Sequence, residues 1–149
     1  MSPMAVTEDE VRQMVALIER YRAQMEMFAE QLGMLQSSEA ELGAASELLG
    51  RYGTLKGGDE LLVPVGGGVF VPAKLTTEKS VVAAVGSGVH VEIAPTEAAA
   101  RVDKRRERIR EMISQTRATI EQIDASASAL SAQLEDAYRE LEASGRPLP

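Results

Sequence analysis

Three stretches of the chain carry residue types that could do chemistry. The first is Gly66-Gly67-Gly68. A glycine-rich loop can cradle phosphate through its backbone N–H groups, but such a loop is followed by Lys-Ser/Thr and a helix. Here the next residues are Val69-Phe70-Val71, a strand pattern, so the glycines read as a turn. Lys56-Gly57-Gly58 also runs into a strand. The second candidate is His90, the single histidine of the chain. Alone it can build neither a multi-histidine zinc site nor a pair of acid–base imidazoles. The third is Lys104-Arg-Arg-Glu-Arg-Ile-Arg110. Basic runs of this kind bind nucleic acid when aromatic residues interleave for base stacking, and none do here. No Ser/His/Asp set has supporting spacing. The expectation is a protein that is not an enzyme, needs no cofactor or metal, and uses the basic run as a solvated or paired helix face. A nucleic-acid-binding arm is the competing reading of that run.

Composition narrows the class. The 149 residues fit one domain, 1–149. Hydrophobic residues make up 44% but aromatic residues only 3%, so a core of large rings is excluded. The net charge of −7 disfavours general binding to nucleic acid or anionic membranes. No cysteine is present, which removes disulfides and thiolate metal sites. No apolar run is long enough for a membrane span, and MSPMAVTEDE lacks the features of a secretory signal. The expected location is cytoplasmic.

The elements that position these residues are two long helices and a β segment between them. Residues 7–50 read as helix, 57–93 as strands and 96–143 as helix. Thr7 with Glu10 forms a capping box, and Glu8, Asp9 and Glu10 oppose the helix dipole. Heptad spacing then runs unbroken, with Val11, Ile18, Met25, Leu32, Glu39 and Ser46 at a. Met14, Tyr21, Phe28, Leu35, Leu42 and Leu49 stand at d. Gly50 and Gly53 are expected to stop this helix. Thr96 is the expected N-cap of the second, whose seam runs from Val102 through Arg106, Ile113 and Ile120 to Leu141. Each seam is roughly 57 to 59 Å long, and a connector at one end makes the pair antiparallel. Residues 26–49 carry five acids and no base, while 101–117 carry seven bases and three acids. Opposed charge favours this partner and register.

The connector contains a repeat of 20 residues. Val63-Pro-Val-Gly-Gly-Gly-Val-Phe-Val71 aligns with Ala83-Ala-Val-Gly-Ser-Gly-Val-His-Val91. Each half predicts a hairpin with a three-residue turn, in which Val65 opposes Val69 and Val85 opposes Val89. Two isolated hairpins are marginal, and their open edges need partners. Assembly with other subunits is therefore expected through Leu62, Val63, Val65, Val69, Phe70 and Val71, and through Val81, Val85, Val89, Val91 and Ile93. The fold class is α+β: a long antiparallel two-helix coiled coil joined by two β-hairpins.

Leu62-Val-Pro-Val-Gly-Gly-Gly68, the following Phe70-Val-Pro-Ala73, and a second hairpin ending Val91-Glu92 between heptad helices resemble prefoldin, in particular its α-type subunits. The resemblance implies that the hairpins join a β-barrel body in a hexamer of two α and four β subunits. It further implies that the coiled-coil tips hold unfolded proteins and pass them to a group II chaperonin without ATP hydrolysis. A structural or assembly adaptor of a prefoldin-like complex is the alternative. No nucleic-acid or membrane partner is implied.

The tip has its own sequence signature. Val15 and Leu17 add apolar surface beside the seam residues Val11, Met14 and Ile18. Met4 and Val6 precede the helix, and Leu134, Tyr138 and Leu141 lie near the opposing end. One seam cannot bury them all, so these ten residues are the expected client contacts. Six of the seven methionines fall within the first 34 positions, and methionine suits varied apolar partners.

Overall fold

A computed structural model of the chain describes residues 6–77 and 79–145. Its elements are α1 (Glu8–Tyr52), β1 (Glu60–Gly66), β2 (Val69–Lys74), β3 (Val81–Gly86), β4 (Val89–Ile93) and α2 (Pro95–Ala143). This is the α+β arrangement of two long helices and two hairpins.

Helix α1 starts where the capping box places it. The Glu10 N–H donates to Thr7 Oγ1 at 3.2 Å, and the Thr7 N–H donates to Glu10 Oε2 at 3.2 Å. Two orphan amides are thereby satisfied reciprocally. The helix continues through Gly50, which does not stop it, and ends at Tyr52. The last carbonyls are then used by the turn: Gly53 N–H reaches Leu49 O, and both the N–H and the hydroxyl of Thr54 reach Arg51 O. A single glycine weakens a helix by only about 1 kcal/mol, less than long-seam packing supplies. Helix α2 begins at Pro95, so Thr96 lies inside it and is not the N-cap. Ala94 O accepts the first helical bond, from the Ala98 N–H at 3.0 Å. Proline fits the first helical position because its missing N–H would have had no partner there.

The chain divides into two compact units. One comprises the residues up to Gln36 and from Glu111 onward. Its core is the helix seam: Val11, Ile18 and Leu35 of α1 and Ile113, Thr116, Ala127, Ala137 and Leu141 of α2 are buried. Val11, Ala137 and Leu141 form one cluster, and Val6, Leu134 and Tyr138 pack on it.

The other unit, Ser37–Arg110, holds the hairpins and the adjoining helix turns. Its seam is partly polar. Ser46 donates its hydroxyl to Asp103 Oδ1 at 2.6 Å, and Arg106 Nε donates to Glu39 Oε1 at 2.7 Å. Each hairpin forms a separate antiparallel two-stranded sheet. The register pairs Val63 with Val71 and Ala83 with Val91, as the repeat predicts. Beyond these pairs it departs from the predicted register. Gly66 and Gly86 oppose Val69 and Val89, and the ladder is irregular where Val65 and Val85 stand. The reason is the turn. Gly67-Gly68 and Ser87-Gly88 all have positive φ, giving two-residue turns whose twist matches the strands. The predicted three-residue turns thus shorten to two, and Val65 and Val85 become bulge residues.

Two smaller contacts hold this unit's connector. The Tyr52 hydroxyl donates to Ser80 O at 3.1 Å. Gly57 passes so close to Thr77 that a Cβ on Gly57 would stand 2.7 Å from its Cα. The first strand begins at Glu60, so the loop 57–59 precedes it, tied to the end of the hairpin by the Gly58 N–H on Leu75 O at 2.8 Å and the Leu75 N–H on Asp59 O at 2.9 Å.

Candidate assembly and binding surfaces

The first hairpin presents apolar side chains to solvent on both faces. Leu62, Val63, Val65, Val69, Phe70 and Val71 are all exposed, Leu62 by 69% and Phe70 by 55%. Only Leu61 and Ala73, a paired couple, are half-buried on these two strands. The second hairpin is more sided. Val81, Ala83, Val91 and Ile93 are half-buried, whereas Val82, Val85 and Val89 are exposed. Val81 and Ala83 line a cleft of about 350 Å³ together with Leu42, Leu49, Ala98 and Val102. A cluster of exposed valines, Leu62 and Phe70 on bulged two-stranded sheets is a surface that needs covering. Among the described residues the outer edge of each strand has no neighbouring strand.

The structure distributes the tip candidates unevenly. Val11 is 0% exposed and Leu141 1%, and Ile18 is buried in the same seam. Val6, Met14, Val15, Leu134 and Tyr138 are half-buried. Leu17 is exposed. Met4 lies outside the described residues. Sequence reasoning did not single out Met27, Met34 or Met112, yet these are the exposed methionines among the described residues. The signal was present: Met27 and Met34 stand one heptad apart at a position that faces away from a two-helix seam.

Charges in the unit Ser37–Arg110 follow the predicted complementarity. Glu39 Oε1 accepts from Arg106 Nε and, at 3.1 Å, from Arg110 Nε. The Arg106 hydrogen bond is the main cause holding the Glu39 carboxyl below its ordinary range, against the opposing effect of desolvation. Gly43 makes the geometry possible, since a Cβ there would lie 2.9 Å from Arg106 Nη2. Lys104, Arg105 and Arg108 are exposed and enter no ion pair among the described residues. His90 is exposed on β4 opposite Ala84. Among the described residues no group of three or more His, Cys, Asp or Glu could hold a metal. No described helix is long and apolar enough to cross a membrane.

With the helices, duplicated hairpins and open apolar strands in place, comparison with known proteins assigns the class. Residues 21–140 match the prefoldin subunit family, and the chain belongs to that family. Within it, the chain is of the α type. It is 35% identical to prefoldin subunit alpha of Methanothrix thermoacetophila over 70% of this chain and 68% of that one. It is 30% identical to the alpha subunit of Methanoregula boonei over 95% of this chain and 92% of the relative. Among solved structures, filamentous PFD of Methanocaldococcus jannaschii is similar with a TM-score of 0.66 and 26% identity. That match covers 77% of this chain and 95% of the other. The prefoldin beta subunit of Thermococcus strain KS-1 shares the fold, with a TM-score of 0.57 at 17% identity over 90% of this chain and 96% of that one.

Proposed function

We propose that this chain is the α-type subunit of an ATP-independent holdase. It assembles through its hairpins with β-type subunits, two α to four β, and captures unfolded proteins at the coiled-coil tips for a group II chaperonin in the cytoplasm. The observation that carries the reading is the first hairpin, whose Leu62 and Phe70 stand exposed in a chain of prefoldin α type. A protein that leaves such a sheet uncovered alone is built to complete it with another subunit. The whole of 1–149 then acts as one prefoldin-like domain.

At the tip, Leu17, Val15 and Val6 offer the accessible apolar surface. Val11, Ile18 and Leu141 reach a client when the terminal turns open, and helix ends are where opening costs least. The experiment is aggregation suppression by the complex reconstituted with a β-type subunit. Removing residues through Leu17 and from Leu134 should leave the complex intact by native mass and abolish suppression. An intact truncated complex that suppresses fully would refute the tip assignment. Failure of the full-length chain to join any β-type subunit would refute the assembly.

A further inference from the structure

Sulfur occurs in this chain only as thioether, since it has seven methionines and no cysteine. Methionine is therefore the side chain through which an oxidant meets sulfur here. Five of the seven are among the described residues, and all five stand in the helix unit that ends at Gln36 and resumes at Glu111. The helices sort them into two sets. Met14 and Met25 occupy seam positions and are half-buried. Met27, Met34 and Met112 are exposed, by 57%, 63% and 44%. Heptad geometry causes the split. Met27 follows the seam residue Met25 by two positions, and Met34 follows Leu32 in the same way, which turns both away from the partner helix. On α2, Met112 is the neighbour of the buried Ile113, and one helical step rotates it out of the seam.

We infer that Met27, Met34 and Met112 form a reversible oxidation site, modified by hydroperoxides ahead of Met14 and Met25. The thioether sulfur attacks the terminal oxygen of the peroxide and the O–O bond breaks. That oxygen stays on sulfur as the sulfoxide, and the remainder leaves as an alcohol or, from hydrogen peroxide, as water. Sulfur is oxidised by two electrons and the peroxide is reduced by two. The reaction requires that peroxide and water reach the sulfur, which the exposed three allow and the seam hinders. The product is polar, so its effect depends on where it stands. At the exposed positions the new oxygen meets solvent, and the seam is untouched. At Met14 or Met25 it would enter an apolar contact between the helices, where a polar group without a partner is costly. Oxidation therefore has two stages. The first changes the polarity of the outer helix surface and leaves the fold alone, and the second loosens the seam. Sulfoxides of the first stage remain within reach of reductases, which makes that stage reversible. The inference does not depend on the holdase reading.

The test exposes the full-length chain to excess hydrogen peroxide, stops the reaction with catalase at intervals and maps the added oxygen by peptide mass. Met34 and Met27 should gain oxygen first and Met112 next, with Met14 and Met25 several-fold slower. While only the exposed three are oxidised, circular dichroism and melting temperature should match the untreated chain. The two methionine sulfoxide reductases, one for each sulfoxide epimer, should then remove all three oxygens. Longer exposure should place oxygen on Met14 and Met25 and lower the melting temperature. The triple variant Met27→Leu, Met34→Leu, Met112→Leu separates the stages, because leucine keeps apolar character and helix propensity. It should gain no oxygen at those positions and lose stability at the same exposure as the parent. Equal oxidation rates at all five methionines overturn the site, and sulfoxides that the reductases leave in place overturn its reversibility. A triple variant that stays stable where the parent melts would put the damage at the exposed methionines and overturn the two stages.

Discussion

Arg106 Nε meets Glu39 Oε1 at 2.7 Å within a seam where apolar side chains are the norm. Both side chains retain less than a third of their surface in solvent, and Arg110 adds a second donor to the same oxygen. A charged pair set among leucines fixes register, because sliding either helix leaves a charge without its partner. The carboxyl of Glu39 is held below its ordinary value of 4.5, first by the Arg106 hydrogen bond. A lowered folded-state value means the pair contributes fully above pH 4.5 and loses its contribution as pH falls through the folded value. Glu39→Gln should therefore melt at lower temperature than the unmodified protein at neutral pH. The gap should narrow as pH drops below 4.5, read by thermal melts across that range. A gap that stays constant into strong acid would remove the pair from the stability of the seam.

Gly33 and Gly43 lie on the same helix and should respond oppositely to a methyl group. Around Gly33 a Cβ would meet nothing within 4 Å. Gly33→Ala should stabilise by about 0.5–1 kcal/mol, the ordinary helix gain over glycine. At Gly43 the Cβ would press on Arg106 Nη2 at 2.9 Å and Cζ at 3.0 Å. The guanidinium must shift, and the bond to Glu39 lengthens with it. Gly43→Ala should gain less than Gly33→Ala, or lose stability outright. Combining Gly43→Ala with Glu39→Ala should recover the missing gain relative to Glu39→Ala alone, because no acceptor is then left at position 39 for the guanidinium to lose. Denaturant midpoints of the parent, the three single variants and the double variant decide the matter, and equal gains at both glycines would contradict the close approach.

The two β-turns supply an internal comparison. Ser87 has φ of 51° and occupies the place that Gly67 holds, at 60°, in the first hairpin. A side chain in this left-handed region costs about 1–2 kcal/mol. Ser87→Gly should slow amide exchange in β3 and β4, and Gly67→Val should speed it in β1 and β2. Unchanged exchange in both hairpins would mean that the turns are not limiting.

What the sequence made legible was periodicity and local capping chemistry. Thr7 and Glu10 carry their own bond pattern in their spacing, and the seams from Val11 and Val102 are visible as alternating threes and fours. The departures share a physical origin. Whether Val65 pairs or bulges depends on turn length, and three consecutive glycines permit either. Gly50 carries a stop signal that a long packed seam outweighs. Pro95 starts a helix as readily as it precedes one. The exposure of Met27 and Met34 was encoded in their one-heptad spacing, but the apolar excess of Val15 and Leu17 beside the seam drew attention to the end of the helix. Val11 and Leu141 show the converse, since apolar excess at a helix end can pack on itself.

Phe70 gives the most direct test of assembly. It pairs with Pro64 across β1 and β2 and stands 55% exposed, with Leu62 on the neighbouring strand at 69%. Neither side chain supports a core within this chain, so replacing both with charge should barely alter its own fold. Burying a charged residue in a subunit interface without a partner costs several kcal/mol. Leu62→Glu with Phe70→Glu should therefore keep the helical circular dichroism within error and lower affinity for the β-type subunit by on the order of a hundredfold or more. Native mass spectrometry of the mixed subunits reads this as free chain in place of complex. A doubly charged hairpin that still assembles at unmodified affinity would show that the exposed face of β1 and β2 is not where the subunits meet.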